Sequence, residues 1–131
     1  MTRYQPPEWA PHDSVWIGFP SDVDLWLDDL EGAQAEVAAF ARAVHAGGRG
    51  EKVQLVCANG LAEEAARALA GDCAQIISAP FFDIWLRDTG PIMVDRDGGL
   101  LALDYRGNGW GGKYPSPLDD ALAAMLCATA G

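Results

Sequence analysis

The spacing of apolar positions along the chain changes several times, and each change marks an element. After a proline-rich start, residues 15–19 form a short apolar run closed by Pro20, which predicts a buried strand and a turn. From Trp26, apolar side chains fall at Leu30, Ala33, Val37, Phe40 and Val44, the spacing of one helical face. Acids at Asp28, Asp29 and Glu31 open this helix, Arg42 and His45 lie near its end, and Gly47-Gly48 can stop it, as the helix dipole and a C-cap prefer. Residues 53–57 predict a second strand, and Asn59 is placed to cap a helix through Leu61, Ala65 and Leu69 that ends at Gly71. Residues 75–78 predict a third strand. Two further runs, 92–94 and 100–103, flank Asp97-Gly98, whose readiness for positive φ predicts an antiparallel hairpin. Ser116-Pro117-Leu118-Asp119 then opens a helix over Leu122, Met125 and Leu126.

This order predicts an α/β chain whose first three strands are parallel through right-handed crossovers. The last helix has apolar positions to bury and no strand after it, so its partner layer is expected beyond residue 131 and the chain is expected to be a piece of something larger. At 131 residues there is room for one domain. Half the residues are hydrophobic and 21% are charged, the balance of a soluble folded protein without a membrane span. A formal net charge of −10 repels phosphate backbones and anionic lipid. Nucleic acid and membranes are therefore not expected as partners, whereas a small cation is favoured. The N-terminus lacks the apolar core of a signal peptide, so the chain is expected in the cytoplasm. Cys57, Cys73 and Cys127, with only His12 and His45 to join them, have no metal-ligand spacing and read as reduced thiols. The acids between Asp22 and Glu31 have no calcium-loop spacing, and no glycine-rich turn of the dinucleotide-binding kind follows Phe19 or Cys57. No cofactor or metal is called for.

Two segments carry side chains that packing does not require. In Pro80-Phe81-Phe82-Asp83-Ile84-Trp85-Leu86-Arg87-Asp88-Thr89-Gly90-Pro91, an extended chain would set Asp83, Trp85 and Arg87 on one face and leave Asp88 at a turn. A strand end, with Asp88 capping the turn and Arg87 paired with Asp83, accounts for these residues. So does a guanidinium site, in which a carboxylate takes the planar fork and an indole covers its face. In Asp104-Tyr105-Arg106-Gly107-Asn108-Gly109-Trp110-Gly111-Gly112-Lys113-Tyr114, glycines surround one tryptophan and one asparagine. A plain surface loop is one account. A backbone that approaches a ligand beside a rigid aromatic wall is the other.

Trp85-Leu86-Arg87-Asp88-Thr89-Gly90-Pro91 resembles the W-x-R-D-T-G-P signature of the agmatine deiminase and bacterial peptidylarginine deiminase family. Asn108-Gly109-Trp110-Gly111-Gly112-Lys113-Tyr114, the early Pro7-Glu8-Trp9-Ala10-Pro11-His12 and Trp16 are similar to it too. One departure is visible, because Gly107 stands where the family pattern has an aromatic. The resemblance spans essentially the whole chain but only the N-terminal portion of such an enzyme, so residues 1–131 are expected to be an N-terminal fragment of a guanidino-group deiminase domain. It implies the first one or two blades of a five-bladed α/β propeller of the pentein kind. It also implies hydrolysis of a guanidino group, with agmatine favoured over peptidyl arginine, by a cysteine thiolate with a histidine as proton shuttle. Carried over by motif, Asp88 is the carboxylate that grips the guanidinium and is the catalytic position, Trp85 is a wall beside it, and Asn108 and Trp110 shape the pocket. The family's cysteine and histidine segments have no counterpart here, so none of the three cysteines is assigned as nucleophile. Exposed sheet edges predict self-association. A non-catalytic α/β domain that binds an arginine-like cation or a protein partner is the other functional class compatible with these residues.

Overall fold

A computed structural model describes residues 2–130. In chain order its strands are β1 (Arg3–Tyr4), β2 (Val15–Gly18), β3 (Val53–Cys57), β4 (Ala74–Ser78), β5 (Ile92–Arg96) and β6 (Gly99–Leu103). Its helices are α1 (Val23–Trp26), α2 (Leu30–His45), α3 (Gly60–Ala70), α4 (Leu86–Thr89), α5 (Gly109–Gly112) and α6 (Pro117–Ala130). The chain divides into two units. One is His12–Leu86, and the other joins the stretch up to Pro11 with the chain from Arg87 onward. This is a mixed α/β chain. No helix among the described residues is long and apolar enough to cross a membrane.

In His12–Leu86 the three long strands are parallel in the order β2-β3-β4, in register from Val15 opposite Val53 to Cys57 opposite Ser78. The crossover from β2 to β3 carries α1 and α2, and that from β3 to β4 carries α3, as parallel neighbours require a helical connection. The core joins Phe19, Leu55 and Cys57 to Ala38 and Ala41 of α2 and to Ala62, Ala66 and Ala70 of α3. Alanine at those five positions lets helix backbones approach the sheet closely. The fully buried residues of α2 are therefore Gln34, Ala38 and Ala41; Val37 and Val44 of the predicted face pack against this core part-buried, and Phe40 remains 58% exposed. Gln34 is not wasted there, since its Nε2 donates to Pro20 O at 2.9 Å.

The helix predicted from Trp26 begins later. Asp22 caps the single turn α1 by accepting from the N–H groups of Asp24 and Leu25, and Leu27 then takes φ 50° and breaks the run before α2. At the other end the left-handed cap is Ala46 (φ 49°), ahead of the two glycines expected to stop the helix. Asn59 caps α3 as expected, its Oδ1 accepting from Ala62 N–H at 2.9 Å. Its Nδ2 donates to Ser21 O, and the Ser21 hydroxyl accepts from Ala58 N–H, so the loops leaving β2 and β3 are tied together at the carboxyl ends of the strands.

In the other unit β1-β5-β6 is antiparallel. The β5–β6 hairpin turns through Asp97 (φ 53°) and Gly98 (φ 82°), the pair of left-handed residues that the Asp-Gly sequence predicts. The two-residue β1, in the stretch read only as a proline-rich start, is new: Arg3 pairs with Arg96 and Tyr4 with Asp95. Helix α6 opens where expected, Asp119 N–H donating to Ser116 Oγ at 3.3 Å, and Leu122, Ala123 and Leu126 are buried.

Candidate functional site

The segment from Pro80 to Pro91 does not take the extended form in which Asp83, Trp85 and Arg87 would share a face. Pro80 has no N–H to give a ladder, and two later donors are taken locally: Ile84 N–H by Asp83 Oδ1 at 2.7 Å, and Leu86 N–H by Ile84 O at 2.8 Å. The chain bends and closes into the turn α4, so alternation does not set Asp83, Trp85 and Arg87 on one face. Asp83 instead accepts the indole N–H of Trp85 at 2.8 Å. Arg87 does not pair with Asp83 but forms an ion pair with Glu8. Gly18 makes the bend fit, because a Cβ there would come within 2.9 Å of Ile84 O. Trp85 belongs to the unit His12–Leu86, where its ring is 55% exposed.

Asp88 opens onto a concavity of about 170 Å³ whose lining lies wholly in the unit that carries α4's last residues, α5 and α6. Asn108 and Trp110 line it as well, so three of the four side chains singled out by motif meet there. The glycine-rich segment builds its floor. Asn108 Oδ1 accepts from Gly111 N–H at 3.0 Å, its carbonyl from Gly112 N–H at 2.7 Å, and Gly109 O from Tyr114 N–H at 2.8 Å. These bonds hold Gly109, Trp110, Gly111 and Gly112 all at positive φ. For Trp110 (φ 54°) such backbone costs on the order of 1–3 kcal/mol, which the cap must sustain. Asn108 thus acts through the loop's shape, with its side-chain oxygen committed to the backbone.

Four further acidic or aromatic residues, not assigned to the site by motif, line the concavity: Asp119 and Asp120 of α6, Tyr105 and Tyr114. In the sequence Asp119 reads only as part of a helix opening. The available signal is the doubled acid in the first turn of the helix that follows the glycine-rich loop. Asp119 is only 7% exposed, whereas Asp88 and Asp120 are open to solvent. Three carboxylates and three aromatic residues are among the described residues that line the concavity, and no lysine, arginine or histidine is. That environment suits an organic cation with a flat face. Gly107 has ordinary backbone, and a Cβ there would touch only Asp120 Oδ1 at 3.8 Å. Glycine at this position therefore relieves no strain and leaves the wall open beside Asp120.

The unit His12–Leu86 has a wider depression, about 660 Å³, bordered by Lys52, Asp72, Cys73 and His45 near the amino ends of β3 and β4. Its charges are mixed, and it lies at the end of a parallel sheet opposite to that where α/β ligands bind.

Cys57 is fully buried, and burial pushes its thiol up to about 12; burial also raises Cys127. Neither is a thiolate at neutral pH. Iodoacetamide at pH 8 is expected to leave Cys57 unmodified in the native protein and to modify it in denaturant, read by peptide mass. Because its folded value lies above the ordinary ~8.5, the stability it contributes is complete below that pH and is lost as pH rises toward 12. The urea midpoint should accordingly fall between pH 8 and pH 11.

The family model for Porphyromonas-type peptidyl-arginine deiminases matches residues 4–131. The chain belongs to that family. It is 42% identical over 112 residues to an agmatine deiminase of Stutzerimonas stutzeri, covering 84% of this chain and 29% of that protein. An agmatine deiminase of Pseudomonas aeruginosa is 33% identical over 127 residues, covering 92% of this chain and 34% of its own length. Among solved structures, a substrate-bound agmatine deiminase of C. jejuni superposes with a TM-score of 0.79 at 26% identity, over 97% of this chain and 37% of that one. The chain thus spans about a third of the length of these deiminase relatives.

Proposed function

We propose that the concavity receives the guanidinium end of a small guanidino-amine, agmatine above others, and that the full-length deiminase hydrolyses it to N-carbamoylputrescine and ammonia. The observation that carries this reading is the meeting of Asp88, Asp119 and Asp120 with Trp110 in the lining of one concavity. Asp88 accepts two guanidinium N–H groups, and Trp110 covers the flat cation. Arginine carries an α-carboxylate that agmatine lacks, and acidic walls disfavour it.

In this reading the nucleophile is a cysteine of the full-length deiminase, as the family resemblance implies. Its thiolate adds to the guanidinium carbon and the terminal C–N bond breaks, the nitrogen leaving as ammonia with a proton from a histidine shuttle. Water then adds to the same carbon, the C–S bond breaks, and the ureido product leaves. In this reading residues 1–131 are the N-terminal part of the deiminase domain, one or two blades of a five-bladed propeller, in a cytoplasmic enzyme able to assemble with copies of itself. The fragment alone carries the guanidinium-binding side without turnover.

Isothermal titration of the full-length protein is expected to show agmatine binding at least about tenfold tighter than arginine. Equal affinities would remove the acidic walls from the argument. A haloacetamidine that mimics a guanidinium should label a single cysteine, and absence of labelling would leave a cation-binding domain without hydrolysis.

A further inference from the structure

We propose that Glu8 is a positioning residue: by holding Arg87 it keeps the protein's own guanidinium off Asp88 and leaves that carboxylate to the substrate. This rests on the reading of Asp88 given above. Arg87 carries the same chemical group as the substrate and directly precedes Asp88 on α4. A competitor tethered this closely acts at an effective concentration of at least about millimolar, comparable to that of a small-molecule substrate. Neighbouring positions on a helical turn do not face each other, but an exposed arginine can swing across the gap unless something else engages it.

Glu8 engages it. The two side chains form an ion pair with 66% and 69% of their surface exposed. At such exposure the pair adds little to stability, so its consequence lies in which carboxylate Arg87 occupies. The segment that presents Glu8 is ordered for that task. Pro6 and Pro7 stiffen it, Ala10 N–H closes a turn onto Pro7 O at 2.9 Å, and β1 pairs the preceding residues with β5 in the same unit. Glu8 thus sits inside a closed turn, and the ion pair spans 79 positions of sequence.

The full-length protein and agmatine supply the test, by isothermal titration and steady-state kinetics. Glu8→Gln should raise Kd and KM about 3–10-fold with kcat within twofold, because Arg87 then competes for Asp88. Arg87→Gln should leave Kd within about twofold of the parent. The double variant Glu8→Gln/Arg87→Gln should return to the parent value, since the competitor has gone. A merely structural Glu8 would make the double variant as weak as Glu8→Gln, and that result overturns the proposal, as does an unchanged Kd for Glu8→Gln. Asp88→Asn is run beside them. Loss of agmatine binding in Asp88→Asn without rescue in the double variant defeats only the role of Glu8. Undiminished binding in Asp88→Asn defeats the reading of the site itself.

Discussion

Replacing Asp88 by Asn in the full-length protein should lower kcat/KM for agmatine on the order of 10²-fold or more, with the fold unchanged. A guanidinium that leaves water for the concavity must recover charge-assisted hydrogen bonds from a fixed carboxylate, and truncating one partner of such a pair costs roughly 2–5 kcal/mol. Asparagine keeps the shape and deletes the charge. The same carboxylate orients the guanidinium carbon toward the attacking thiolate, so kcat as well as KM should suffer. Asp97→Asn is the matched control, because it makes the same chemical change elsewhere in the unit. Asp97 sits in the hairpin turn at φ 53°, backbone that asparagine adopts readily, and its Oδ1 accepts Thr2 N–H at 3.0 Å, a bond that an amide oxygen can keep. Catalysis by Asp97→Asn should match the parent. If both variants are folded by circular dichroism and equally active, Asp88 is not the substrate's carboxylate.

The second large effect is conformational. Gly109→Ala should destabilise the loop by about 2–4 kcal/mol, because an L-residue at φ 61° is disfavoured by about 1–2 kcal/mol and its Cβ would lie 2.7 Å from the Tyr114 carbonyl and Pro115 N. Tyr114 and Pro115 contact it through backbone atoms, which cannot rotate away as the end of a flexible side chain could. Trp110 follows directly, so the loss should appear as weakened agmatine binding together with a lower Tm. Two other glycines of the segment bracket this prediction. Gly111→Ala has the same handedness problem at φ 77° but meets nothing within 4 Å, and should cost about 1 kcal/mol. Gly107→Ala has neither problem and should be neutral within about 0.5 kcal/mol. Thermal denaturation of the three variants should rank them in that order. A Gly107→Ala as damaging as Gly109→Ala would show that steric reach and φ do not govern this wall.

What the amino-acid sequence determined by itself is local. The short apolar run marks β3 and the 3.6-residue period marks α3 because the residues concerned are near neighbours in the chain. Asp97-Gly98 carries its own turn, and Asn59 carries its own cap, because the bonds concerned close within three positions. Asp88 and Trp110 stood out for a related reason: their motifs are contiguous runs. The tertiary structure decided the rest wherever two local preferences competed or distant segments met. Within α2, Ala38 and Ala41 are fully buried because close approach to the sheet outweighed the size of Phe40. Residues 80–86 bend because Asp83 supplies the bonds a strand partner would have supplied. β1 exists only because β5, far along the chain, offers Tyr4 and Arg3 a ladder. The pairing of Glu8 with Arg87, and the meeting of Asp119 and Asp120 with Asp88 in one lining, depend on the path of the chain between them, and no periodicity within either segment records that path.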